Sequence, residues 1–249
     1  MIKLTTLLAS AALARSLVYP LALRALLHPR AMLASAAPEP ECAAADAAGG
    51  TLPPVLGVAA GGASGRDLTR QGMDLFRAGD VAGSIARFDD ARDAQPSLDP
   101  YLWQRGLSLY YAKRYADGAA QFRRDVAVNP NDTEESIWAF LCEAQMPGLG
   151  FDAAQRNFLK VGRDSRAVMR AAYELFAGRA TQADLATAGA EGGVAGQFYA
   201  DLYLGLYNEA KGDVTLAREY VRAAAASPYG ESRDYMHALA VVHKAQRGW

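Results

Sequence analysis

The chain carries little with which to do covalent or metal chemistry. Its 249 residues include only two cysteines, Cys42 and Cys142, and three histidines, His28, His237 and His243. Two cysteines cannot build a zinc cluster, and they argue against a disulfide framework. His237 and His243 stand six apart, a helical rotation of about 600°, so they face different ways and do not chelate one metal. The formal net charge is only -1, which leaves no electrostatic footprint for nucleic acid. Long apolar runs are also missing. Arg15, Pro20 and Arg24 break the N-terminal ones, and none reaches the roughly 18 residues of a transmembrane segment. "GGASG", ending at Gly65, lacks the Lys-Ser/Thr ending and the preceding strand of a phosphate-cradling loop. No cofactor and no metal site is therefore expected.

Acid is missing from one place. No Asp or Glu occurs from Met1 to Pro38, while Lys3, Arg15, Arg24 and Arg30 do. "MIKLTTLLASAALA" has the basic start, apolar run and small-residue end of a secretory signal. "RSLVYPLALRALLHPRAMLASA" continues with arginines and no acid, as an organelle transit peptide does. Together, residues 1–38 resemble a two-part presequence for a plastid behind extra membranes. The secretory pathway or another organelle is the alternative. Residues 39–65 are rich in Pro, Gly and Ala, show no apolar period and read as a flexible linker.

What is present from Arg66 onward is helical periodicity, and 51% hydrophobic residues to bury along it. Leu68, Leu75 and Phe76 share one face, and Val81, Ile85, Phe88 and Ala91 share another. Gly79 and Asp80 separate them as turn and cap, and Pro96 ends the second helix. The pattern recurs 34 residues on: Gly72 falls on Gly106, Phe88 on Phe122 and Pro96 on Pro130. A degenerate third unit keeps Trp138, Leu141, Ala154 and Phe158, with Cys142 in place of the glycine. A fourth keeps Leu204, Gly205, Gly212, Asp213, Ala217, Ala224 and Pro228. Between them the spacing predicts one helix near Ser165–Phe176 and a shorter one near Gln182–Ala188. A last helix after Glu231 is expected to cap the stack, because the final repeat otherwise leaves its core open.

A helix-turn-helix unit at this period is the tetratricopeptide (TPR) signature. The expectation is an all-α protein. Residues 66–249 would form a right-handed helical-hairpin solenoid of about four units, with inserted helices between the third and fourth. The segments "YLWQRGLSLYYAKRYADGAAQFRRD", "NPNDTEESIWAFLCEAQ" and "LYLGLYNEAKGDVTLAREYVRAA" also make it similar to the TPR domain of NlpI-type bacterial lipoproteins. They resemble still more a set of plastid-associated TPR proteins of plants and algae. That resemblance implies a non-catalytic scaffold. "EPEC" lacks the small apolar residues that precede a lipidated cysteine, so the lipid anchor of the bacterial proteins is not expected here.

The candidate binding residues follow from the solenoid. First helices line its concave face, so Trp103, Gln104, Leu107, Tyr110 and Tyr111 on one and Phe140 on the next would hold a protein or peptide partner. Aromatic residues at this spacing equally serve as core between repeats. The acidic tail of a heat-shock chaperone is a poor fit. The positions that would hold its carboxylates are Thr69, Met73, Gln104, Ser136 and Phe140, and none is a basic residue or an asparagine. Asp132, Glu134 and Glu135 cluster before a helix, where a capping box from Asp132 and Glu135 with dipole-matched acids explains them. They and Cys142 are what an enzyme on this scaffold would use. The main expectation is a non-enzymatic adaptor, with a structural subunit of a larger complex as its rival.

Overall fold

The computed structural model describes residues 63–249. The leader and all but the end of the linker lie outside them. Among the described residues there are eleven α-helices, two 3-10 turns and no strand.

Ser64 opens the first helix, its hydroxyl accepting from Asp67 N at 3.1 Å. Helix α1 (Gly65–Arg77) thus begins inside "GGASG", one residue before the point where the apolar period becomes visible. Gly79 takes a left-handed turn (φ 85°) and Asp80 caps α2 (Val81–Ala94). Pro96 does more than stop α2. It starts a 3-10 turn, Pro96–Tyr101, that hands the chain to α3 (Trp103–Tyr111) and α4 (Tyr115–Val128).

Each of these hairpins is held at one point by the same contact. A Cβ on Gly72 would sit 2.8 Å from the Phe88 ring, and one on Gly106 would sit 2.7 Å from the Phe122 ring. Only glycine lets the second helix approach so closely. The pair α9 (Gly193–Lys211) and α10 (Val214–Ala225) repeats the arrangement, where a Cβ on Gly205 would sit 2.7 Å from the Val221 side chain. Gly212 (φ 88°) and Asp213 make the turn and cap there.

The third hairpin departs from the pattern. Helix α5 (Thr133–Ala144) is full length, but α6 (Gly150–Arg156) has only seven residues. Phe158 falls beyond its end and packs against Phe140 and Tyr173. Cys142 stands where glycine stood and faces the other way, toward α4, within 2.9 Å of a Cβ on Gly118. Helices α7 (Ala167–Phe176) and α8 (Gln182–Glu191) fill the inserted segment.

The final helix, α11 (Tyr235–Gln246), packs on α10 and also on α1. Tyr235 stacks on Phe76 at 5.6 Å, and Tyr111 shares a 2.9 Å hydrogen bond with His243. It therefore joins the last hairpin to the first two, rather than only covering the end of the array. Its residues and those of α7 and α9 join α3 and α5 in one apolar core. No helix among the described residues is long and apolar enough to cross a membrane.

Candidate functional site

The N-terminus of α5 sits where α3, α9 and α11 converge. Asp132 caps it, its Oδ1 accepting from Glu134 N at 2.9 Å and Glu135 N at 3.4 Å. The cap forms as the spacing suggests, but the reciprocal half of the capping box does not: the Asp132 amide bonds Asn129 O instead. The Glu135 side chain is left for other use. It lines a cavity of about 190 Å³ together with Trp103, Leu107, Trp138, Tyr199 and Asp234.

Most polar groups of this cavity are occupied. Glu134 accepts from Arg166 Nη1 at 2.7 Å and from the Tyr203 hydroxyl at 3.1 Å. Asp234 Oδ2 accepts from the hydroxyls of Tyr199 at 3.0 Å and Tyr229 at 2.6 Å. Two buried atoms are left over: Glu135 Oε2 and Trp138 Nε1 have no hydrogen-bond partner. Burial, then the neighbouring charges of Asp132, Asp125 and Glu134, push the Glu135 carboxyl up to about 9. A second cavity, of about 180 Å³, shares Trp103, Asp132 and Glu135 with the first and runs on past Tyr101, Asp125 and Val128. Asp125 lies within it, pushed up to about 8 by burial, with its Oδ2 also unpartnered.

The six expected groove residues divide. Trp103, half-buried, and Leu107 line the first cavity. Gln104 is half-buried beside them, its Oε1 unpartnered. Tyr110, Tyr111 and Phe140 do not face a groove, and this corrects the expectation for them. Tyr110 packs edge-on against Trp138, Tyr111 bonds His243, and Phe140 is enclosed by Phe151, Phe158 and Phe176. The reason is that α7, α9 and α11 pack against these three side chains, through Phe176, Glu209 and His243. Tyr199 and Asp234 are the site residues that sequence reasoning missed. They come from α9 and from the cap of α11, and no local pattern ties them to α5.

Cys142 is fully buried in the core, and burial, then the charge of Glu143, pushes its thiol up. A thiol so placed is held in its neutral, weakly nucleophilic form. No histidine lines the first cavity. Among the described residues no group of three or more His, Cys, Asp or Glu side chains is placed to hold a metal ion. No protein-family model matches the chain.

Proposed function

We propose that the protein is a non-enzymatic adaptor, built as a TPR-type array of helical hairpins, that holds a segment of a partner protein. The array reading rests on the recurring glycine-to-large-residue contact. Gly72–Phe88, Gly106–Phe122 and Gly205–Val221 share one spacing and one close approach. The observation that carries the binding role is the cavity at the start of α5, two of whose lining residues, Glu135 and Trp138, each hold a buried polar atom, Oε2 and Nε1, without a partner. Buried polar groups are normally paired, so two orphans in one concavity favour a ligand that completes them. Its volume of about 190 Å³ is below the roughly 300–1,000 Å³ of a small-molecule site. It suits one inserted side chain.

The test is capture of partners from a plastid extract, the compartment to which the acid-free leader points. The bait is the wild-type chain or Trp103→Ala. Trp103 is half-buried at the cavity wall, so its loss should remove a specific partner while the melting temperature stays close to wild type. Retention of every partner by Trp103→Ala would move the contact to another face and favour the structural-subunit reading. A turnover that survives purification and disappears in Glu135→Gln would overturn both.

A further inference from the structure

We propose that the α5 cavity recognises a cationic side chain, a lysine or arginine, presented by an extended segment of the partner. This rests on the adaptor reading and assigns its specificity. Four carboxylates line the cavity: Asp132, Glu134, Glu135 and Asp234. A cluster of acids alone would say nothing, but these four are not equivalent. Asp132 is spent on backbone amides, Glu134 on Arg166 and Tyr203, and Asp234 on two tyrosine hydroxyls and the Met236 amide. Glu135, only 7% exposed, keeps one oxygen with no donor.

Among the described residues no cation is bonded to Glu135. Arg166, at the cap of α7, is held between Glu134 and Asp164 and lies over the Tyr199 ring. Arg105, the basic residue of α3, is bonded to Asp89 and Gln121. The groups facing Glu135 are Asp132 and Glu134 on its own helix end and Asp125 on α4, all acids. An entering ammonium or guanidinium would supply a donor to the unpartnered oxygen and, as an opposite charge, favour release of the Glu135 proton to solvent, so that the ion pair forms on binding.

The rest of the lining fits the same occupant. Trp103, Trp138 and Tyr199 supply aromatic walls, on which a desolvated cation is favoured. The Trp138 Nε1–H needs an acceptor. A bare cation has none, whereas a peptide carries a carbonyl beside the basic side chain. The shared edge at Trp103 and Glu135 continues into the second cavity, flanked by exposed Tyr101 and Val128. That track gives the segment a path on one side of the inserted side chain.

The experiment uses the full chain with its three tryptophans labelled with nitrogen-15, so that each indole N–H is read separately by NMR. The probes are N-acetylated, C-amidated Gly-Gly-X-Gly-Gly peptides with X as lysine, arginine or norleucine, up to about 10 mM. The lysine or arginine peptide should move the Trp138 signal saturably. The norleucine peptide, of lysine's shape without its charge, should bind about tenfold more weakly or worse. Glu135→Gln should weaken the cationic peptide to a similar degree without lowering the melting temperature. Glu174→Gln, a surface carboxylate paired with Arg179, should leave binding unchanged.

Equal responses to lysine and norleucine would overturn the proposal, as would full binding in Glu135→Gln or a Trp138 signal that none of the peptides moves. A Trp138 signal that peptide leaves still but Glu135→Gln or dilution shifts would assign the site to the chain's own basic leader or to a second copy, and also overturn it. A partner captured through Trp103 yet indifferent to Glu135→Gln would leave the adaptor standing and remove its cation specificity.

Discussion

At Glu135, burial and charge act in the same direction. Both favour the neutral acid, so the folded chain holds this proton up to about 9, while an unfolded one releases it near the ordinary 4.5. Asp125 behaves alike, up to about 8. For a carboxyl raised on folding, the unfolded state binds fewer protons through the intervening range. Stability is therefore fully present below the unfolded value and is lost as pH climbs through the folded one. Glu135→Gln removes the ionisable group but keeps an amide of the same shape. It should raise the melting temperature relative to wild type at pH 8, with the gap closing toward pH 5. Thermal unfolding at the two pH values checks this, and a variant less stable than wild type at pH 8 would show that the carboxyl is satisfied after all. A site residue whose removal stabilises the fold is one that function, not folding, keeps in place. The cluster Asp132–Glu135 was visible in the sequence, and Asp132 caps α5 as its position implies. That Glu135 turns inward instead of back to the cap was not visible, because the cavity that receives it is made by residues of α3, α9 and α11.

Among the helical hairpins, the second breaks its own rule. In the first and fourth, a left-handed glycine and a capping aspartate make the turn: Gly79 with Asp80 and Gly212 with Asp213. In the second, Lys113 sits in the left-handed conformation (φ 59°) and Arg114 caps α4 with no side-chain bond. A non-glycine residue there costs about 1–2 kcal/mol, and a missing cap about 1 kcal/mol more. Lys113→Gly with Arg114→Asp should therefore stabilise the protein by about 1–3 kcal/mol in denaturant unfolding, less the exposed Arg114–Asp117 pair it gives up. No gain would mean that the turn is relaxed. Phe122→Ala in the same hairpin should cost about 3–5 kcal/mol, because its ring is buried against Gly106. Helices, turns and caps were legible because their signals are local: the period, the glycine, the aspartate, the proline. The third hairpin's short α6 was not. Ala154 and Phe158 fit the pattern by identity, yet the chain leaves the helix after Arg156 and Phe158 packs from outside it.

Closure by α11 is the feature of the whole chain that no local signal carries, and it concentrates on one buried network. Tyr111 bonds His243 Nδ1 at 2.9 Å, and His243 Nε2 lies 3.3 Å from Glu209. Glu209 also accepts from Arg247 and, at 3.5 Å, from Tyr110. The network ties α3 to α9 and α11, and it explains why Tyr110 and Tyr111 are core. Burial opposes the Glu209 charge, but His243 and Arg247 outweigh it and hold the carboxylate down to about 2. His243 is lowered by burial against the pull of Glu209. The hydroxyl proton of Tyr111 is then accepted by Nδ1 of a neutral imidazole, whose Nε2 lies near Glu209 without a hydrogen bond to it. Both groups are lowered on folding, so their contributions are present above the unfolded values. The His243 part is lost as pH falls below 6.5 and the Glu209 part as it falls from 4.5 toward 2. The acid limb should thus open at α11 and the hairpins it touches before the middle of the chain unfolds. Hydrogen exchange at pH 5 against pH 7 should show protection falling first in 235–246 and in α1, with α5 and α7 retained. Tyr111→Phe, which removes the hydroxyl from His243 and keeps the ring, should bring the same loss on at higher pH. Uniform loss across all helices, or a Tyr111→Phe profile that matches wild type, would show that the network does not govern closure.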